Sequence, residues 1–171
     1  MKYLKYILIL MIIPHIAECG YHFGRGVGVI PKVVSKLYVP IFTNITNEVE
    51  IEDYFTEAMR KTIADSSDSE LVSKQNAEAI VEGTITSYNS VPIFFSSTGT
   101  ASVYQLTVVV NIKLVQKMTD KTLWEMNGFT ESIDFNPVND PLITKELEHN
   151  AVQSLAVSMT HRAFDAMHSN F

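Results

Sequence analysis

Three histidines near the C-terminus are the first candidates for metal chemistry. His149, His161 and His168 fall in a segment with helical spacing, and imidazole is a common zinc ligand. The seven-residue step from His161 to His168 places both roughly on one helix face, but two turns and about 10.8 Å apart, too far for one metal ion. We therefore expect surface histidines and no metal site.

Carboxylate pairs and nucleophile motifs are the next candidates. Glu125, Glu131 and Asp134 share one predicted strand, but Glu125 and Glu131 are about 20 Å apart at the strand rise, beyond the separation that glycosidases use. No Gly-x-Ser-x-Gly elbow occurs, and a Ser-His-Asp triad is recognised only by geometry. The glycine-rich run 20–28 has no preceding strand and no closing Lys-Ser/Thr. We expect no enzyme and no cofactor, and an envelope hydrolase is the third and weakest alternative.

The position of the single cysteine suggests a modification. Residues 1–5 form a short basic start and residues 6–13 an apolar run, which is typical of a signal peptide and too short for a spanning helix. Ile16-Ala17-Glu18-Cys19 resembles the bacterial lipobox, with Glu18 where a small residue is usual. In that motif the cysteine carries acyl chains such as palmitate and becomes the mature N-terminus. We expect residues 1–18 to be a signal peptide and Cys19 the lipid attachment site, with a free thiol or an uncleaved anchor as the alternatives.

Length and composition limit the class of protein. The chain has 171 residues, 46% hydrophobic and 19% charged, which favours one folded domain over two. A net charge of -6 has the wrong sign for a general nucleic-acid binder. One cysteine excludes an intramolecular disulfide and a multi-cysteine zinc site. We expect residues 19–32 to be a lipidated N-terminal tether and residues 33–171 a single domain.

Hydrophobic periodicity predicts six elements in the order β-α-β-β-β-α. A capping box at Asn47 and Glu50 begins the first helix, and Asp140-Pro141 begins the second. The predicted ranges are strands over 33–42, 79–88, 104–114 and 123–135 and helices over 47–65 and 140–167. Two helices can cover one face of four strands, which predicts an α+β two-layer sandwich. The side of the third strand beneath the helices should carry Tyr104, Leu106, Val108 and Val110.

The opposite sheet face and one connection are the candidate contact surfaces. Four polar residues are predicted to alternate outward: Thr84, Thr86, Gln105 and Thr107. The connection 91–100 holds Phe94 and Phe95, and exposing each ring to water costs about 1.5–3 kcal/mol. The rings therefore either fold back over the sheet edge as core or insert into a partner.

Five short motifs follow one another in a characteristic order. They are Cys19-Gly-Tyr-His-Phe23, Val39-Pro-Ile-Phe-Thr-Asn-Ile-Thr46, Ala79-Ile-Val-Glu-Gly-Thr-Ile85, Tyr104-Gln-Leu-Thr-Val108 and Leu123-Trp-Glu125. In this order the chain resembles the LptE family of lipopolysaccharide-assembly lipoproteins over nearly its whole mature length. The resemblance implies a non-enzymatic outer-membrane lipoprotein facing the periplasm. It implies a plug inside the barrel of LptD that helps deliver lipopolysaccharide, and two helices on a four-stranded sheet.

Under this interpretation the outward polar residues and the two phenylalanines are partner-binding candidates. Direct lipopolysaccharide binding would need basic side chains, and the connection 91–100 has none. The available cluster is Lys113, Lys117 and Lys121, which equally forms a solvated edge. The rival interpretation is a periplasm-facing lipoprotein that binds a small apolar ligand between sheet and helices, in a cavity of about 300 Å³ or more.

Overall fold

A mixed sheet and two helices account for residues 34–169, which the structure, a computed structural model, describes. The elements are β1 (Lys36–Tyr38), β2 (Thr43–Asn44), α1 (Ile51–Ala64), β3 (Glu70–Leu71), β4 (Ala79–Phe95), β5 (Ala101–Gln116), β6 (Thr122–Phe135) and α2 (Pro141–His168). The strands follow the order β3-β1-β4-β5-β6, and β2 also pairs with β4. β1 and β2 run parallel to β4, whereas β4, β5 and β6 form an antiparallel meander.

The α+β class is as predicted, but the sheet has six strands where four were predicted. The predicted strand 33–42 ends early because the chain around Pro40 bonds to α1 instead of to the sheet. The Arg60 guanidinium donates to the Val39 carbonyl at 2.9 and 3.2 Å, and the Phe42 amide donates to Thr56 Oγ1 at 2.9 Å. Pairing with β4 resumes at β2, and the two-residue β3 adds a further parallel strand beside β1.

The core lies between the sheet and the helices. Leu106, Val108 and Val110 of β5 are fully buried there, which confirms the predicted face. Tyr104, at the end of the same face, is half-buried and stacks on Phe135 with ring centroids 5.6 Å apart. The apolar side of β5 is therefore buried beneath the helices except at its start.

The two helices begin in different ways. Asp140 caps α2, since its carboxylate accepts from the Leu142 amide at 2.8 Å, and Pro141 occupies the first turn as predicted. The predicted capping box of α1 is wrong, because Glu50 adopts a left-handed conformation with φ 67° and makes no side-chain cap bond. Asn44 stabilises the approach to α1 instead, and its Nδ2 donates to the Glu48 carbonyl at 2.7 Å.

A close approach in the core explains one glycine. A Cβ added to Gly83 of β4 would lie 2.1 Å from Cε2 of the buried Phe42 ring. That ring in turn stacks on Phe55 of α1, with centroids 6.4 Å apart. Only glycine therefore leaves room for this ring to lie between β4 and α1.

β4 contains a bulge that inverts its alternation. The register shifts between Ile85 and Ser87, so Ile85 pairs with Val110 and Tyr88 pairs with Val108. Both partners are buried, so Ile85 and Tyr88 point to the helix side although they are three residues apart. The residue between the shifted pairs, Thr86, donates to the Val109 carbonyl at 3.2 Å.

Candidate partner-binding surface

The β4–β5 hairpin extends past its neighbouring strands. β2 stops where Asn44 pairs with Ile85, and β6 stops where Phe135 pairs with Tyr104. Residues 92–103 consequently form a two-stranded ribbon without a neighbouring strand in the described part of the chain. The turn at its tip is closed by a bond from the Ser96 amide to the Thr100 carbonyl at 2.8 Å, and Gly99 supplies a φ of +79°.

Both aromatic rings of this ribbon face solvent. Phe94 and Phe95 are each 61% exposed, and Val91 at the root of the ribbon is also exposed. Half of the connection predicted over 91–100 is thus strand, since β4 continues to Phe95 and residues 96–100 form the turn. The alternative in which these rings fold back as ordinary core does not hold in this structure.

The β6–α2 connection and the start of α2 add further exposed apolar side chains at the same end of the molecule. They are Val138, Leu142 and Ile143, at 48%, 82% and 49% exposure. An open groove of about 490 Å³ separates this segment from the root of the ribbon. Its walls come from the end of the ribbon turn, from β5, from the β6–α2 connection and from α2: Thr100, Ala101, Tyr104, Pro137, Val138, Asn139, Pro141, Thr144, Lys145 and Glu148.

A polar network fixes the root of the hairpin to α2. The Tyr88 hydroxyl donates to Glu148 Oε1 at 2.7 Å, and Lys145 Nζ donates to Glu148 Oε2 at 3.1 Å. Lys145 also donates to Glu48 Oε1, in the loop before α1, at 2.9 Å. Three segments that are distant in sequence therefore meet in one set of charge-assisted bonds.

The network shifts the pKa values of its members. Burial, and then the bond to Glu148, raise the pKa of Tyr88 far above its ordinary value, so the hydroxyl stays a donor. Burial alone would raise the pKa of Glu148, but the bonds from Tyr88 and Lys145 outweigh it and lower that pKa. Burial likewise opposes the charge of Lys145, but its two carboxylate partners raise its pKa overall. Glu148 is therefore held ionised and Lys145 protonated around neutral pH.

The sheet face opposite the helices is polar, as predicted. Thr84 is opposite Asn111, and Gln105 and Thr107 of β5 bond to Asp134 and Ser132 of β6 at 3.2 and 2.7 Å. Thr86 lies in the bulge. The predicted set thus shares one surface, and its role in binding a partner stays a prediction.

The three lysines proposed for lipopolysaccharide lie at the far end of the sheet from the ribbon tip. Lys113 pairs with Glu82 at 2.9 Å, and Lys117 donates to the Gln75 carbonyl at 2.6 Å. Lys121 follows in the β5–β6 turn. Two of the three ammonium groups therefore already have protein partners.

The remaining predictions concern metal ligands, the C-terminal histidines and the lipid attachment site. Within residues 34–169 no group of three or more His, Cys, Asp or Glu side chains could hold a metal ion, and neither helix there is long and apolar enough to cross a membrane. His168 is half-buried rather than on the surface, since its ring packs at a tilt against Phe164, with centroids 4.2 Å apart, and approaches Ser69 Oγ at 3.2 Å. Cys19 and residues 1–33 lie outside the described residues.

Solved structures place this arrangement in a known fold class. Lipoprotein B from Nitrosomonas europaea is similar with a TM-score of 0.51 and 14% identity, over 87% of this chain and 94% of that one. The PelC dodecamer from Paraburkholderia phytofirmans is similar with a TM-score of 0.52 and 12% identity, over 85% and 94%. At these identities the likeness shows the fold alone. The chain therefore has the α+β sandwich fold that these two proteins share.

The sequence itself identifies the family. No curated protein sequence matches this chain. The family model LptE, described as lipopolysaccharide-assembly, matches residues 34–167, which is nearly all of the described structure. The protein belongs to the LptE family, which confirms the resemblance; four of the five ordered motifs lie within the matched residues.

Proposed function

We propose that this protein is an outer-membrane lipoprotein, facing the periplasm, that assists lipopolysaccharide transport and assembly as the plug partner of an LptD-like barrel. Membership of a lipopolysaccharide-assembly family supports the process. The observation that carries the contact is the exposure of Phe94 and Phe95, at 61% each, on a ribbon that extends past its neighbouring strands. The proposal assigns no catalysed reaction to the chain.

The ribbon and the open sheet face suit a barrel lumen in different ways. Barrel interiors are polar, so they can match the hydroxyl and amide side chains of the open face, such as Thr84, Gln105 and Thr107. Aromatic residues that become buried in an interface frequently dominate its binding energy. We infer that the polar face positions the plug and that the two rings supply a large part of its affinity.

The test replaces both rings with serine. Because the rings are already in water in the isolated chain, Phe94→Ser with Phe95→Ser should leave the thermal midpoint nearly unchanged. Co-purification with the barrel from detergent-solubilised outer membrane should fall strongly. Met118→Ser is the matched control, since Met118 is apolar and 87% exposed in the β5–β6 turn, at the other end of the sheet. A large loss of midpoint with pairing intact would refute the assignment.

The anchor is part of the same proposal. We propose that residues 1–18 are removed on export and that Cys19 carries the acyl chains, ahead of a tether over 19–32. Stable membrane attachment takes more than one acyl chain, which a triacylated cysteine supplies. Mass spectrometry of the N-terminal peptide should find the acyl mass, and Cys19→Ala should abolish it. A wild-type peptide with a free thiol would contradict this assignment.

Direct contact with lipopolysaccharide is proposed for the three lysines at the end of β5 and in the β5–β6 turn. Of Lys113, Lys117 and Lys121, the first two already bond within the chain. Lys121→Ala should therefore weaken binding of purified lipopolysaccharide more than Lys113→Ala. Equal binding of lipopolysaccharide by both variants and the wild type would contradict this assignment of the site.

A second function is favoured by the groove beside Tyr104. Its volume of about 490 Å³ lies in the range of small-molecule sites, and Ala101, Tyr104 and Val138 form an apolar part of its wall against which a ligand would lie. Native mass spectrometry of the purified chain should then detect a bound lipid-like molecule. Ala101→Trp, which fills the groove, should remove it, and the exposed neighbour Ser102→Trp should not. Ligand-free wild-type protein would exclude this function.

A further inference from the structure

β6 leaves a long edge of the sheet open. It has 14 residues and ends the strand order, whereas β3 at the opposite edge has two. Edge strands present unpaired amide and carbonyl groups, and proteins commonly protect them with Lys, Pro or a short length. β6 contains neither Lys nor Pro. After the irregularity at Gly128, where φ is +66°, the segment Phe129–Phe135 continues without interruption.

We propose that two copies of this chain pair through this edge, antiparallel, about a two-fold axis through Ser132. Residues that lie opposite each other across antiparallel strands point to the same face, so the axis must pass through a residue. With Ser132 on the axis, Phe129 lies opposite Phe135 of the second copy, and Thr130 opposite its Asp134. Two aromatic pairs and two hydroxyl–carboxylate pairs result, and aromatic cross-strand pairs stabilise neighbouring strands. Glu131 lies opposite Ile133 of the second copy.

Other positions of the axis are less favourable. An axis through Glu131 or Asp134 sets two carboxylates directly opposite each other, which is destabilising. An axis through Ile133 loses both aromatic pairs. The sequence of the edge is therefore self-complementary about Ser132.

The helix above the edge supports the same partner. Glu131 is paired with Arg162 of α2 and accepts from Ser158 Oγ at 3.1 Å, so its charge is compensated within one copy. The Arg162 guanidinium lies 5.6 Å from the Phe129 ring. This part of α2 thus lies over the edge strand, and Ser158 and Arg162 are the side chains that it directs toward β6.

A disulfide test reads the register directly. Opposed residues in antiparallel strands have Cα atoms about 4.5–5.5 Å apart, within the disulfide range of about 4.4–6.8 Å. Ser132→Cys in the full chain should give a disulfide-linked dimer on mild oxidation. Thr130→Cys alone should not, because its counterpart lies four residues, or about 13 Å, along the strand. A mixture of Thr130→Cys and Asp134→Cys chains should form the mixed dimer, and the wild type controls for Cys19.

The outcomes separate the proposal from its rivals. Equal cross-linking of all single-cysteine variants indicates random collision, and no cross-linking at Ser132 indicates another occupant of the edge; either result overturns the proposal. Sedimentation of the wild-type full chain in detergent should show a dimer, and a monomer at all concentrations also overturns it.

The chain carries a net charge of -6, so added salt should strengthen association. These measurements need no barrel, so they are independent of the proposed plug function.

Discussion

Replacing Gly83 with alanine tests the packing of the core at its tightest described point. The added Cβ would lie 2.1, 2.2 and 2.4 Å from three atoms of the Phe42 ring, where about 3.5–4.0 Å is ordinary contact. The ring must therefore move by more than about 1 Å. It has little room to do so, because it is 2% exposed and stacks on Phe55 of α1.

The expected cost follows from two opposing effects. Overpacking a filled core costs about 1–3 kcal/mol, and the lower backbone entropy of alanine returns about 0.5–1 kcal/mol. Because Phe55 backs the ring, we expect the overpacking cost near the top of its range and a net loss of about 2 kcal/mol in unfolding free energy. Thr84→Ala, one residue on and facing away from the helices, should cost much less.

Urea unfolding followed by tryptophan fluorescence measures this loss. Trp124 is the single tryptophan and is 3% exposed, so its emission reports loss of the core. If the ring causes the cost, Gly83→Ala should cost markedly less in a Phe42→Leu background. Unchanged or increased stability of Gly83→Ala in the wild-type background would refute the reasoning.

Three further predictions concern single interactions measured by the same unfolding experiment. Leu106→Ala should cost about 2–5 kcal/mol as a core cavity, and Thr107→Ala much less; equal costs would contradict the assigned faces. Asp140→Ala should cost about 1 kcal/mol through loss of the α2 cap, and no change would contradict that role. Because the pKa of Glu148 is lower in the folded state, its ionised carboxylate stabilises the fold at pH values above its ordinary pKa of 4.5. This stabilisation is lost as the pH falls through the pKa of the folded state. The stability difference between wild type and Glu148→Gln should therefore shrink on acidification, and a constant difference would contradict it.

The elements that the sequence predicted well are those whose signals are local. Asp140-Pro141 combines an N-cap with a residue suited to the first helical turn, and α2 begins there. The alternation from Leu106 to Leu114 marks one buried face, and all its apolar members are buried. Neither feature depends on contacts with distant segments.

The features that escaped prediction depend on long-range partners. β3 has two residues, too few to show a period, and exists because β1 lies beside it. The end of β1 depends on Arg60 of α1, which donates a hydrogen bond to the Val39 carbonyl, so that carbonyl does not pair within the sheet. The capping box at Asn47 matched its pattern, but Asn44 makes the stabilising bonds instead. A local pattern shows which residues are able to cap a helix or end a strand, but long-range contacts determine which of them do so.

In the candidate surface, too, residues with a local signal were predicted and residues that depend on long-range contacts were not. The adjacent Phe94 and Phe95 were recognisable from composition alone, because two aromatics between Pro92 and Gly99 are unusual for a turn. Tyr88, Lys145 and Glu148 gave no signal, since their meeting depends on where α2 crosses the root of the hairpin.

The bulge at Thr86 reverses which residues of β4 point to the helices. Up to Ile85 the odd-numbered residues point to the helices, and from Tyr88 to Pro92, where the register shifts again, the even-numbered ones do. Deleting or inserting one residue there would move every side chain over 87–91 to the opposite face and carry Tyr88 away from Glu148. A change of two residues would keep each side chain on its face and alter only the reach of the ribbon. The length of the ribbon can therefore vary in steps of two while its two faces keep their chemistry.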